Sequence, residues 1–316
     1  MISKAHTPRP RRSRLTALFL GAALVVTMAG GAIAREPIAQ ARESAARSAG
    51  PAMALQNVTL TDLTAQRHGI CDGSFSHIIK NSDSTTSSLK FLDAAAVCGV
   101  KVIFYFPTTI SGGTVYPSRV AAAVNGLKNH ASLWGYLSVK EPSWAGINAA
   151  EIRSLYSAFR SADPNHPVMA LFGDIPHFGD SANPYTSGMA NVVMVDWYPV
   201  ETANGGKSTS GTSYVATGPT WFTKVRNVVA ARTPGRPIWL MVQTHKYLAP
   251  SAHKKQLPSE VLLRRQVREG LSGLPAEGIA FHTWANSSYN MDQVRNPTMV
   301  GWMKRISSQV RAGTFN

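Results

Sequence analysis

Cysteine is almost missing from this chain: Cys71 and Cys98 are the only two in 316 residues. Two thiols cannot build a cysteine-rich zinc site, and the nine histidines are scattered without ligand spacing, so no metal is expected. No glycine-rich dinucleotide loop follows any apolar run, which removes the usual nucleotide-cofactor classes and leaves no cofactor expected. Acidic residues are scarce too, 17 against 32 Lys and Arg, for a net charge of +15. No basic run is interleaved with aromatics, so nucleic acid is not an expected partner. The surplus charge, seen in Lys254-Lys255, Arg264-Arg265-Gln266-Val267-Arg268 and Lys304-Arg305, suits either solvated helix faces or an anionic cell-envelope polymer.

The amino terminus has no acid among its first 34 residues, while Lys4, Arg9, Arg11, Arg12 and Arg14 precede an apolar run from Leu15 to Ala34. Ala32-Ile33-Ala34 is a small-x-small cleavage site, so residues 1–34 are expected to be a secretory signal peptide cut after Ala34. The Arg11-Arg12 pair leaves a twin-arginine route open, and an uncleaved membrane anchor is the alternative. Removing this leader takes five of the 32 basic residues and no acidic one, leaving +10. In an exported chain Cys71 and Cys98 are expected to form one disulfide, with two buried thiols as the alternative. Residues 35–54, rich in Ala, Arg, Ser and Glu, read as a flexible tether, and residues 55–316 as the folded domain, expected to be a monomer.

That domain alternates between two patterns. Apolar runs at 58–63, 76–79, 100–106, 133–139, 168–172, 192–198, 238–243 and 279–284 predict strands. Helical spacing at 87–98, 118–128, 148–162, 220–231, 259–271 and 297–310 fills most of the gaps. Eight strand–helix units predict a closed (β/α)8 barrel, with an open doubly wound sheet as the alternative. Such barrels keep their chemistry at the carboxyl ends of the strands.

Leu133 to Val139 is nearly all apolar, as a parallel strand covered on both faces should be, and Glu141-Pro142 ends it. Val192 to Pro199 repeats the design: an apolar run, then Asp196-Trp197-Tyr198-Pro199. Alternate strands contribute to one layer of a barrel, so Glu141 and Asp196 can face one another across the mouth. Two carboxylates there are the minimum for glycoside hydrolysis, about 5 Å apart for retention and about 6.5–9.5 Å for inversion. Other rim candidates are Asp72, Asp174, Gln243 and His245. Trp144, Trp197, Tyr198, Tyr247 and Trp284 fall just past strand ends, where flat rings can stack on sugars or simply pack. His245 and His282 read as structural, hydrogen-bonded histidines.

Trp134-Gly135-Tyr136…Glu141-Pro142, Asp163-Pro164-Asn165-His166-Pro167, Asp196-Trp197-Tyr198-Pro199 and Gly278-Ile279-Ala280-Phe281-His282-Thr283-Trp284 resemble secreted (β/α)8 glycoside hydrolase-like proteins over about residues 55–310. In the large retaining clan of such barrels a Glu-Pro ends strand four, so the resemblance implies an acid role for Glu141. Lys140 replaces the Asn that clan places before this Glu, and Gln243 stands where its nucleophile Glu is expected. A neutral amide cannot form a glycosyl ester, so Asp196 is the expected base or nucleophile. Two readings follow: a secreted glycoside hydrolase on an extracellular polysaccharide or glycan, and a barrel without catalysis that binds a glycan or anionic envelope polymer.

Overall fold

Eight strands, Ala52–Gln56 (β1), His77–Asn81 (β2), Lys101–Tyr105 (β3), Leu133–Lys140 (β4), Val168–Phe172 (β5), Val192–Trp197 (β6), Ile238–Gln243 (β7) and Gly278–His282 (β8), pair in parallel, and β1 joins β8 to close the barrel. Closure excludes the open sheet. The computed structural model describes residues 50–316 apart from 83, 144, 174–177, 179–183, 203–211, 215–217, 246–255 and 285–295. The leader, the start of the tether, and the candidates Trp144, Asp174 and Tyr247 therefore lie outside the described residues, as do Lys254 and Lys255. Outer helices are Leu60–Thr64 (α1), Thr85–Val97 (α2), Pro117–Asn125 (α3), Ala149–Ala162 (α4), Gly218–Arg232 (α5), Glu260–Gly273 (α6) and Pro297–Arg311 (α7).

One strand is displaced from expectation. The run at 58–63 is not β1; it overlaps α1, because the Thr59 hydroxyl accepts from the Asp62 amide at 3.0 Å and caps a helix. β1 lies earlier, with Ala52, Met53 and Ala54 inside the stretch read as a tether. Elsewhere the local logic holds. Asn148 and Glu151 form a reciprocal capping box that starts α4, whose Ile152, Leu155 and Phe159 are buried.

Inside the barrel, side chains stack in layers set by the two-residue strand period. The floor is aromatic: His77, Trp134 and Trp239 touch pairwise with ring centroids 5.4 Å apart. Trp239 lies across β8 where Gly278 has no side chain, since a Cβ there would run into the indole. Burial, with the charges of Lys101 and Arg311 adding, holds the His77 imidazole down to about 3, so it is neutral in this floor. The middle layer is apolar, with Ala54, Ile79, Ile103, Leu137, Met169, Met194, Met241 and Ala280 all buried. Polar side chains begin only one layer higher. The Cys71–Cys98 disulfide is present, its Cα atoms 4.5 Å apart, and clips the amino-terminal side of β2 to the end of α2.

The Asp163-Pro164-Asn165-His166-Pro167 turn is structural. Asp163 Oδ2 accepts from the Tyr136 hydroxyl at 2.8 Å and pairs with His166 Nδ1 at 2.7 Å; Oδ1 accepts from the Asn165 amide at 2.9 Å. Burial pushes this carboxyl up, but the bonds from His166, Asn165 and Tyr136 outweigh it and bring it from 3.8 down to about 2. A depressed carboxyl adds stability above its unfolded value and loses it as pH falls through the folded one. Asp163→Asn is thus expected to cost roughly 1.5–3 kcal/mol at neutral pH. In urea unfolding at a series of pH values, the gap to the parent should close between 3.8 and about 2; a pH-independent gap would deny the carboxylate this role.

Candidate active site

The barrel mouth is built from the last inward residue of each strand. β4 ends at Lys140, and the next residue, Glu141, takes a left-handed backbone, φ 44°, while its amide donates to Leu171 O at 2.8 Å. Positive φ is uncommon outside glycine and costs about 1–3 kcal/mol. It turns the side chain sideways across the end of β5. Room exists there because residue 173 is glycine: a Cβ would lie 2.7 Å from Glu141 Cγ and 2.8 Å from Oε1.

Across that gap Glu141 meets Asp196, the inward residue at the top of β6, only 5% exposed. Burial, then the charge of Glu141 and a hydrogen bond with it, raise the Asp196 carboxyl well above its ordinary value; the Tyr198 hydroxyl opposes this by donating to it. Asp196 Oδ1 has no hydrogen-bond partner among the described residues. Burial and a carboxyl neighbour thus favour the protonated form of Asp196.

Tyr198 stacks on His282, ring centroids 5.2 Å apart and planes 22° apart, and meets His245 edge-on at 4.9 Å. His245 is buried, its Nδ1 3.0 Å from His282 O. His282, bonded through Nδ1 to Gln56 Oε1, is pushed well below the ordinary histidine value by burial, with His245 and Lys140 adding. On the other side of the mouth, Lys140 Nζ donates to Asn81 Oδ1 at 2.5 Å and lies 4.5 Å from the Tyr105 ring centre. Burial, with Lys80 adding and Glu141 opposing, brings the Lys140 amine down to about 7.

Several candidates stand elsewhere. Gln243 is fully buried, and its side chain faces backbone, not the cavity. Oε1 accepts from the Val200 amide at 2.9 Å, and Nε2 donates to Val200 O, His245 O and Gln256 O at 2.9, 3.2 and 2.7 Å. Trp197 follows the inward Asp196 and so points outward, edge-on to Phe222 of α5 at 6.0 Å. Trp284 is fully buried against α1, its Nε1 donating to Asp62 Oδ2 at 3.1 Å. Asp72 precedes β2, at the amino-terminal ends of the strands, paired with Lys304 of α7. Gln56, Asn81, Tyr105 and Gly173 belong to the site but were not singled out. Gln56 is hidden by the misplaced first strand and Asn81 by a second strand that runs two residues beyond the expected 76–79, whereas Gly173, directly after a core strand, is a readable signal.

Among the described residues no cluster of His, Cys, Asp or Glu could hold a metal ion, and no helix is long and apolar enough to cross a membrane.

No family model matches the chain, and no curated protein matches it in sequence. Solved structures do match in fold, and glycoside hydrolases on TIM-barrel-like folds are among them. A β-galactosidase from the psychrophilic Marinomonas ef1 superposes with a TM-score of 0.58 at 11% identity, over 82% of this chain and 59% of that one. A family 39 glycoside hydrolase from the gut symbiont Bacteroides cellulosilyticus WH2 gives 0.54 at 12% identity, over 84% of this chain and 64% of that one. This chain thus spans about three-fifths of the length of these neighbours. At such identities the likeness is one of fold.

Gln243→Leu keeps the volume but strands the Val200 amide and removes the donor shared by three carbonyls. Each unsatisfied buried group costs roughly 1–3 kcal/mol. A melting temperature lower by at least about 4 °C is expected; an unaltered melt would show that this clamp holds nothing.

Proposed function

We propose that the protein is a secreted glycoside hydrolase acting on an extracellular polysaccharide or glycan, with Glu141 as proton donor and Asp196 as its proton-sharing partner. The observation that carries this reading is the neighbouring carboxyl pair, Glu141 and Asp196, at the carboxyl rim of a closed (β/α)8 barrel. Glu141 is half-buried and reaches the cavity, so it passes the proton to the glycosidic oxygen as the bond to the anomeric carbon breaks. Asp196, having released its proton to Glu141, is then a carboxylate able to accept one from water. The alternative role for that carboxylate is attack on the anomeric carbon as nucleophile. Secretion rests on the basic, apolar, small-residue order of residues 1–34 and is compatible with the disulfide.

A second reading, a glycan-binding barrel without turnover, is favoured by one observation: Gln243 is locked to the backbone where a retaining enzyme would carry its second carboxylate. Turnover separates the two. Purified protein lacking residues 1–34 is expected to release reducing sugar from a panel of neutral and acidic polysaccharides, and Glu141→Gln to lower that rate about 10²–10⁴-fold without changing the melt. Full activity in Glu141→Gln removes the assignment. No release from folded protein across the panel selects the binding reading.

The pair also sets a pH profile. One proton must remain on it, and mutual repulsion delays loss of that proton as pH rises. Asp196→Asn removes the repulsion, so the alkaline limb of the residual activity should shift to lower pH. A limb that stays in place would show that the two groups titrate independently.

A further inference from the structure

Lys140 has no role in the proton chemistry above, yet its ammonium sits in the mouth beside Glu141. An ammonium has three N–H donors, and the described structure uses one, in the bond to Asn81 Oδ1. No carboxylate among the described residues forms an ion pair with it. Glu141, the neighbouring acid, supports the charge through space without forming an ion pair with it. An enclosed ammonium whose N–H donors are only partly used among the described residues is costly, and a bound anion would offset that cost.

The position is built, not incidental. Alternation along β2 and β3 carries Ile79 and Ile103 inward and hence Asn81 and Tyr105 one layer above them. Tyr105 presents its ring face to Nζ, which restrains the lysine without satisfying its hydrogen bonds. Asn81 is exposed, so the ammonium opens toward the mouth.

We propose that Lys140, held by Asn81 and Tyr105, recognises the carboxylate of a uronic acid residue, which makes the substrate of this site an acidic glycan. This rests on the hydrolase reading and names its substrate class. Because Glu141 is the next residue, the recognised carboxylate belongs to the sugar at the cleaved bond or to its neighbour. The surplus of basic over acidic residues, +10 without the leader, favours the same class of polymer at long range.

The test uses polygalacturonate, alginate and glucuronan, each beside its carboxyl-reduced counterpart, which keeps the linkage and loses the charge. The parent protein is expected to show kcat/KM at least about 30-fold higher on one acidic polymer than on its reduced form. Lys140→Met should bring that ratio down at least tenfold, chiefly through KM, with Lys140→Arg restoring part of it. Asn81→Ala, at an exposed position, should lower it less and guards against a Lys140→Met chain that fails to fold. Equal rates on acidic and reduced polymers would overturn the proposal while leaving the hydrolase reading intact. So would an equal fall on both in Lys140→Met, which would make Lys140 a tuner of the carboxyl pair. If nothing is cleaved, the hydrolase reading fails, and calorimetry with oligomers of the same uronides decides this one. Salt-sensitive binding lost in Lys140→Met would uphold charge recognition, and no binding would end it.

Discussion

Two carboxyl groups in contact inside a barrel mouth cannot both be ionised, and the rest of the site is arranged around that constraint. Asp196 is shut away from water by its place at the top of β6, where the charged form is disfavoured twice, by burial and by Glu141. Glu141 reaches it only because the chain turns left-handed after β4 and because residue 173 lacks a side chain. The strain of the first is tolerated because the Glu141 amide is still anchored on β5, through Leu171 O. A pair assembled with this much local support is difficult to explain as two solvated strand ends.

How far the site was legible follows from what each signal measures. β4 and β6 could be read because a parallel strand buried on both faces is a continuous apolar run, and a proline just beyond it sets the end. β1 could not: Ala52-Met53-Ala54-Leu55-Gln56 is short and carries no β-branched residue, while Val58-Thr59-Leu60 nearby looks more like a strand. Thr59 and Asp62 decided otherwise through a side-chain cap. That error hid Gln56. Trp197 shows a rule that was available and not applied. Successive strand residues face opposite sides, so an inward Asp196 sends Trp197 outward to the helices. Trp284 and Asp72 needed the tertiary structure, since only their partners on α1 and α7 show that neither lines the mouth.

Gln243 illustrates why one position can resemble a catalytic site and be something else. Its amide does what a carboxylate cannot: it donates to carbonyls at 200, 245 and 256 while accepting from an N–H at 200. A glutamate there would place negative charge against three carbonyl oxygens with nothing to donate. The amide therefore makes the end of β7 a clamp on the segments that follow β6 and β7.

The mouth is consequently asymmetric. Its β4–β6 side carries both carboxyls, whereas the β7–β8–β1 side presents His245, His282 and Gln56 bonded among themselves and with backbone. Burial holds His282 in its neutral form, so it adds no charge to the mouth. Lys140 stands at the junction of the two sides, and its field reaches both, lowering the proton affinity of His282 and being itself supported by Glu141.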